Sequence, residues 1–208
     1  MRILVAGASG VLGRATLPHL ERHDVVGLTR TEAKRELVRK LGAEAIACDV
    51  YDDQALLTVV ARAHPETVVN FLTALSIGSA ANNQIRRAGA SNLLAAAERA
   101  SAARLVVESV AFPLEGDAAR ALEELERSTR DFAGEALILR FGRLWGPCTF
   151  HQSAPAPPAI HIDRAGVEAA RLITSARSGT HTIADPAPQP SLDGPDKTRA
   201  QPQRRDGA

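Results

Sequence analysis

The chain has 208 residues, of which 45% are hydrophobic and 24% are charged, the balance of an ordinary globular protein. This length fits one domain that buries a substantial core. The formal net charge of +1 argues against nucleic acid or an anionic membrane as the main partner, because such partners select strongly basic surfaces.

Strand-like and helix-like segments alternate along the first 140 residues. Six strands are predicted, at residues 2–6, 25–29, 44–48, 67–74, 104–109 and 135–140. The helices between them are predicted at 11–22, 32–41, 54–63, 80–102 and 117–132. Apolar strands that alternate with helices form a parallel sheet covered on both faces, and the crossovers are right-handed. The expected fold class is therefore α/β, with a doubly wound parallel sheet.

The segment after the sixth strand has a different character. Residues 141–159 are loop-like and interrupted by prolines. A helix is predicted at 163–176 with Asp163 as its N-cap, and one short strand at 181–185. We expect a single domain over 1–185, with a reduced C-terminal part at about 141–185. Residues 186–208 contain five prolines and few large apolar residues, which predicts a disordered tail.

The two cysteines indicate a reducing compartment. Cys48 and Cys148 lie far apart and form no C-x-x-C pair, so we expect no structural disulfide and a cytoplasmic protein. Cys48 ends the third strand, where it is expected to act as a small core hydrophobe. The apolar run at the N-terminus is too short for a signal peptide, and no stretch approaches the length of a membrane span.

A glycine-rich turn follows the first strand. Gly7, Gly10 and Gly13 are spaced G-x-x-G-x-x-G between a strand and a helix. Such a turn lets the backbone approach a pyrophosphate, and the helix start offers N–H groups and the positive end of its dipole. Ser9 adds a hydroxyl donor. A tight turn without a ligand is the alternative, but the strand and helix on either side favour a phosphate site.

The end of the second strand selects between the two nicotinamide dinucleotides. NAD-binding proteins usually place a carboxylate there for the ribose 2′-hydroxyl, whereas an arginine accommodates the 2′-phosphate of NADP. Thr29 and Arg30 occupy this position, and the first acid is Glu32. Because Arg30 would form charge-assisted bonds with a phosphate, we predict NADP, with NAD less favoured. The alternative is a solvated surface arginine.

These features resemble the extended and atypical short-chain dehydrogenase/reductases, the NAD(P)-dependent epimerase/dehydratase group. Six further stretches are similar to motifs of that family: CDVYD (48–52), VVNFLTA (68–74), RRAGASNLLAAAERA (86–100), VVESVAF (106–112), LRFGRLWGP (139–147) and HIDRAGVEAA (161–170). The resemblance covers roughly residues 1–185. It implies an NAD(P)-binding Rossmann fold.

The resemblance also extends the set of candidate site residues. It implies that Asp49 and Val50 contact the adenine and that residues 72–74 lie beside the cofactor. The complete set of candidate cofactor-binding residues is Gly7, Ser9, Gly10, Val11, Leu12, Gly13, Thr29, Arg30, Asp49, Val50, Leu72, Thr73 and Ala74. Ser109 matches the serine of the strand-five motif and is the catalytic candidate.

The chain lacks the acid–base pair that the resemblance would imply. That family uses Tyr-x-x-x-Lys, and a spacing of four puts both side chains on one helix face. The single tyrosine, Tyr51, is followed four residues later by Ala55, and no lysine lies between strands five and six. Ser109 alone is a poor acid. His151 and His161 are also candidate proton donors, because imidazole groups commonly transfer protons in enzymes. A loop or capping role is the simpler interpretation of each.

The substrate lobe of the family is also reduced. Only 13 residues separate Pro147 from His161. No metal site is expected, although His19 and His23 are spaced H-x-x-x-H, because no cysteine lies near them in the sequence. One hypothesis is an NADP-dependent oxidoreductase, epimerase or dehydratase that acts on a small carbonyl or sugar-nucleotide-type substrate. The alternative is a catalytically inactive NADP(H)-binding sensor or scaffold, or a truncated family member. The resemblance further implies a homodimer formed through helices 80–102 and 117–132.

Overall fold

The computed structural model describes residues 1–186, with a seven-stranded parallel sheet at their centre. Its strands are β1 (Arg2–Ala6), β2 (Asp24–Thr29), β3 (Glu44–Ala47), β4 (Thr67–Asn70), β5 (Arg104–Val110), β6 (Glu135–Phe141) and β9 (Gly179–Ile183). A separate two-stranded sheet consists of β7 (Arg143–Trp145) and β8 (Ala159–His161). The order in the large sheet is β3-β2-β1-β4-β5-β6-β9. The order therefore reverses between β1 and β4, which confirms the predicted doubly wound fold.

Helices cover both faces of the sheet. They are α1 (Val11–Thr16), α2 (Arg35–Lys40), α3 (Asp53–Ala63), α4 (Ser79–Gln84), α5 (Ala90–Arg99), α6 (Gly116–Arg130) and α7 (Ile162–Ser175). The buried side chains of α1, α2 and α7 share one core cluster, and those of α3, α5 and α6 share another across the sheet. Because both faces are covered, the central strands are apolar on both sides, and this pattern made them recognisable in the sequence.

The helices α1 and α7 cross at a glycine. A Cβ on Gly166 would lie 2.2 Å from the carbonyl oxygen of Ala15. In an exposed helix, glycine to alanine stabilises by up to about 1 kcal/mol. Here we expect Gly166→Ala to lower the free energy of unfolding by about 1–3 kcal/mol, because the two backbones must move apart. Urea denaturation measures the change. An increase in stability would contradict this close crossing.

The structure corrects several predicted boundaries. The fourth strand ends at Asn70 rather than at residue 74, because the Asn70 side chain accepts a hydrogen bond from the Leu72 N–H (3.0 Å) and turns the chain. The long helix expected at 80–102 contains a π-helical turn at Ile85–Gly89 between α4 and α5. The first predicted helix ends as a 3₁₀ turn at Leu17–Leu20, and a 3₁₀ turn at Glu32–Lys34 precedes α2.

The predicted N-cap of α7 was wrong. His161, not Asp163, caps this helix, and its Nδ1 accepts a hydrogen bond from the Asp163 N–H (3.3 Å). Strand β8 ends at His161 and delivers it to the helix start, so Asp163 lies within the first turn instead. A carboxylate in that turn still interacts favourably with the helix dipole.

The C-terminal part of the described chain completes the sheet. Strand β9 pairs in parallel with β6 as the seventh strand, and α7 packs against α1. Between β6 and α7 the chain forms the β7–β8 ribbon and the loop that joins its two strands. Trp145 packs edge-on against His161, with ring centroids 4.5 Å apart. The predicted disordered tail lies outside the described residues, apart from Pro186.

Candidate active site

The glycine turn leaves no room for side chains at two of its positions. Gly7 has a φ of +83°, and a Cβ there would lie 2.4 Å from the carbonyl oxygen of Phe71. A Cβ on Gly13 would lie 2.4 Å from the Gly7 carbonyl oxygen. The turn is thus held against β4 on one side and against its own helix on the other, and this packing fixes its shape.

Gly10 has a different environment. Its φ of −72° suits any residue, and a Cβ there would meet only the Gly7 oxygen, at 3.0 Å. Gly10 is also exposed, at the start of α1. A bare, exposed backbone at this point fits the close approach of a pyrophosphate, so the turn as built fits a dinucleotide.

The end of β2 adjoins the glycine turn. The hydroxyls of Ser9 and Thr29 are 3.0 Å apart, and the Ala8 N–H donates to the Leu28 carbonyl. Arg30 is exposed just beyond β2, and no ion pair engages it within residues 1–186. A free guanidinium next to the glycine turn is the arrangement expected for a 2′-phosphate site.

The loop after β3 also lies near Arg30 at the end of β2. Burial and the Asp49 carboxylate raise the pKa of Tyr51 above its usual value, while Arg30 opposes the rise. Asp49 and Arg30 thus lie close enough to act on one phenol. Asp49 is exposed, but the side chain of Val50 is buried in the core, and the Asn92 amide donates to the Val50 carbonyl (2.9 Å).

The remaining candidates lie at the starts of α1 and of the β4 loop. Leu12 and Ala74 have buried side chains, so only their backbones are open to a ligand. The Ala74 N–H already donates to the buried Asn82 side chain (2.9 Å). Thr73 is exposed at the edge of the sheet, whereas Val11 and Leu72 are partly buried. The structure thus brings the predicted residues together along the carboxyl ends of β1, β2, β3 and β4.

The hydroxyl of the catalytic candidate Ser109 already takes part in a hydrogen bond inside the protein. It is 1% exposed, and its hydroxyl donates to Glu126 Oε1 at 2.6 Å. Glu126 also accepts hydrogen bonds from Arg140 (2.8 and 2.6 Å) and from Arg130 (2.5 Å). Burial alone would raise the pKa of Glu126, but the bonds from Arg140 and Ser109 outweigh it and hold the pKa low. This cluster joins β5, β6 and α6.

The sequence interpretation overlooked Arg86 and a charged residue next to Ser109. Glu108 precedes it on β5, and burial raises the pKa of Glu108 to about 7 although Arg86 opposes the rise. Arg86 comes from the π-helical turn, and burial lowers its own pKa. The sequence did contain a sign that pointed to Glu108, because a glutamate next to the apolar residues of VVES is unusual in a strand covered on both sides.

The other proton-transfer candidates have structural surroundings. His161 caps α7, and Gly146 packs so closely that a Cβ there would lie 2.6 Å from its Nε2. His151 lies in the β7–β8 loop and forms an isolated bridge with Trp145. Cys48 is buried as predicted, Cys148 is exposed, and both are free. Within residues 1–186, no group of three His, Cys, Asp or Glu side chains is arranged to hold a metal ion.

Comparison with known proteins agrees with this geometry. Residues 3–112, more than half of the chain, match the model of the NAD dependent epimerase/dehydratase family. The chain belongs to this epimerase/dehydratase family. A 3-diazoavenalumate denitrifying reductase from a Streptomyces species is 31% identical over 92% of this chain and 78% of its own length.

Solved structures share the epimerase/dehydratase fold. The UDP-glucose 4-epimerase of Thermus thermophilus in complex with NAD has a TM-score of 0.73 and 16% identity, over 88% of this chain and 78% of that one. A Bacillus halodurans protein described as an NAD-dependent epimerase/dehydratase has a TM-score of 0.72 and 20% identity, over 88% and 92% of the two chains. None of the helices within residues 1–186 has both the length and the apolar character that a membrane crossing needs.

Proposed function

We propose that this member of the epimerase/dehydratase family is an NADP-dependent reductase of a small molecule. The observation that carries the proposal is the glycine turn, in which Gly7 and Gly13 have no space for a Cβ and Gly10 leaves its backbone exposed. Arg30 supports the choice of NADP, because it lies free at the end of β2 where a carboxylate would favour NAD.

Each group would have its own part in holding the dinucleotide. The backbone around Gly10 would bind the pyrophosphate, and Arg30 would bind the 2′-phosphate. Asp49, exposed after β3, would contact the adenine side, and Thr73 borders the crevice beyond β4. When bound in its reduced form, the nicotinamide supplies a hydride. The protein's own contribution is then to position the acceptor and to manage protons.

The substrate is an electrophile that accepts a hydride. A small carbonyl or a sugar nucleotide agrees with the family, and a diazo group agrees with the reductase from Streptomyces. The short β7–β8 ribbon favours a small acceptor over a sugar nucleotide, because a ribbon with 13 residues between its strands offers little surface to enclose one. The homodimer through α4–α5 and α6 and the cytoplasmic location stay predictions.

Dinucleotide titration followed by fluorescence tests the proposal. We expect NADPH to bind more tightly than NADH, and Arg30→Ala to weaken NADPH binding about ten- to a hundredfold, since charge-assisted bonds to phosphate are lost. NADH binding should stay within about twofold, because NADH has no 2′-phosphate for Arg30 to contact. Arg99→Ala, an exposed arginine at the end of α5, is the matched control and should change neither affinity.

Three outcomes separate the hypotheses. Failure of both dinucleotides to bind would contradict the proposal. Equal loss of NADPH and NADH binding in Arg30→Ala would contradict the role of the 2′-phosphate. Tight NADPH binding without turnover of diazo, carbonyl or sugar-nucleotide compounds would favour the sensor or scaffold, a function that the absence of Tyr-x-x-x-Lys would explain.

A further inference from the structure

Glu108 lies level with the glycine turn at the carboxyl edge of the sheet. Ala6 pairs with Asn70, and Asn70 pairs with Val107. The next level across the three strands therefore holds Gly7, Phe71 and Glu108. Two strand spacings of about 4.8 Å separate β5 from β1. Because ligands of doubly wound sheets bind outside the strand ends where the order reverses, here between β1 and β4, Glu108 lies one strand from that crevice.

The side chain of Glu108 points away from the Ser109–Glu126 cluster. Side chains alternate along a strand, so Glu108 shares the face of Val106, which packs in the core cluster of α1 and α7. The partner of Glu108 on β6 is Leu139, which is apolar and fully buried. On the β4 side, the residue that comes opposite Glu108 when the register is continued is Phe71, which is also apolar and buried. Glu108 thus has apolar neighbours on both adjacent strands, but it is half-buried and therefore still partly accessible.

Arg86 is the charged group that acts on Glu108 among the described residues. Its attraction lowers the pKa of Glu108, but burial dominates and leaves the pKa at about 7. Neither side chain has a hydrogen-bond partner within residues 1–186. Helices α1 and α7, which cover this face, place no charge that acts on Glu108, and Glu126 lies on the opposite face. Arg86 thus acts on Glu108 through its charge, without a hydrogen bond between the two side chains.

A further polar group near Arg86 lacks a partner. Asn83 lies one helical turn before Arg86 and is 7% exposed. Its amide nitrogen donates to Asp117 (2.9 Å), but its buried Oδ1 has no hydrogen-bond partner in the described part of the chain. A buried acceptor without a donor is costly. The helical segment after β4 therefore carries an unsatisfied acceptor and a guanidinium without a hydrogen-bond partner in the described part of the chain.

We infer that Glu108 is the proton donor for the substrate, with Arg86 stabilising the carboxylate that remains, in place of the tyrosine and lysine of the family. This inference rests on the proposed function. A carbonyl that accepts a hydride at carbon needs a proton at oxygen, and a neutral diazo carbon that gains a hydride and a proton releases N₂. The O–H bond of the Glu108 carboxyl breaks, its electron pair stays on the carboxylate, and the proton forms the new bond on the acceptor. The hydride brings both electrons, and solvent water returns the proton to Glu108.

The other candidates fit this role less well. The Ser109 hydroxyl already donates to Glu126, and the Nδ1 of His161 caps α7. Of these three candidates, Glu108 combines a place at the crevice with a proton to give at neutral pH.

Two measurements test this inference. The first is a ¹³C NMR titration of the Glu108 carboxyl in the free protein. We expect a midpoint near pH 7, and Arg86→Gln should move it to higher pH, because the positive charge that favours the carboxylate is lost. A midpoint below about pH 5, the ordinary range for glutamate, would overturn the inference without any reference to turnover.

The second measurement is NADPH oxidation with two probes, phenanthrenequinone as an aromatic dicarbonyl and ethyl diazoacetate as a neutral diazo compound. We expect kcat to fall as pH rises through the pKa of Glu108, since the protonated form is the donor. Glu108→Gln should lower kcat about a hundredfold or more and remove this pH dependence, while NADPH affinity is unchanged. Glu108→Asp should retain the pH dependence at a lower rate. Glu123→Gln, an exposed acid on α6, is the control.

The outcomes distinguish the inference from the proposed function. If wild-type protein reduces a probe and Glu108→Gln does so equally well, the proton-donor role is wrong and the reductase stands. If wild-type protein binds NADPH and reduces neither probe, both the reductase and the proton donor are contradicted. If it does not bind NADPH at all, the proposed function fails, and the NMR midpoint still reports whether Glu108 is an acid that titrates near neutrality.

Discussion

Gly10→Ala should abolish most of the dinucleotide binding while leaving the fold intact. The φ of Gly10 is −72°, so alanine meets no backbone strain, and its Cβ would contact only one carbonyl oxygen, at 3.0 Å. The added methyl group covers the exposed backbone that a pyrophosphate must approach. Losing those charge-assisted hydrogen bonds should weaken NADPH binding about a hundredfold, or ~2.7 kcal/mol. Fluorescence titration measures the affinity, and urea denaturation should show a change within about 1 kcal/mol.

A second glycine separates binding from stability. Gly42 lies between α2 and β3 with a φ of +90°, and a Cβ there would have no other atom within 4 Å. Gly42→Ala should therefore cost about 1 kcal/mol of stability through backbone strain, yet leave NADPH affinity unchanged. Unaltered affinity in Gly10→Ala, or a parallel loss in both variants, would show that the glycine turn is not the phosphate site.

Glu126→Ala should cause a large loss of stability. The carboxylate is 6% exposed and accepts bonds from Ser109, Arg130 and Arg140. Removing one partner of a buried ion pair costs about 3–5 kcal/mol. The guanidinium of Arg140 is 40% exposed and recovers some hydration, so we expect the lower end of that range, about 3 kcal/mol. The urea midpoint measures it.

The pH dependence of this effect has a definite sign. Because the pKa of Glu126 is low in the folded protein, its contribution is present above the unfolded pKa, about 4.3, and is lost as pH falls through the folded pKa. The free energy of unfolding of wild-type protein should therefore approach that of Glu126→Gln as the pH falls below the unfolded pKa of about 4.3. Glu123→Ala, on the same helix but exposed, should change the stability by less than about 0.5 kcal/mol. An equal loss in both variants would contradict the role of the buried cluster.

Neighbouring residues in the sequence were enough to predict the fold. The apolar runs of β1, β4 and β5 follow from burial on both faces, and the glycine spacing follows from the close turn that Gly7 and Gly13 make. The ends of the helices and strands were less predictable. Asn70 ends β4 through its own side chain, and His161 rather than Asp163 caps α7. Both boundaries depend on the position of the preceding strand in the sheet.

By itself, then, the sequence determined the doubly wound sheet, the glycine turn and the absence of Tyr-x-x-x-Lys, since each is a matter of short-range pattern. Only the tertiary structure decided which acids and hydroxyls are free for chemistry. Ser109 is engaged because α6 brings Glu126 to it from 17 residues away. Burial on β5, next to Leu139 of β6, raises the pKa of Glu108 to about 7, and among the described residues Arg86 opposes the rise. These hydrogen bonds and pKa shifts depend on which strands are neighbours and on the register between them. Neither can be obtained from the pattern of residues along the sequence.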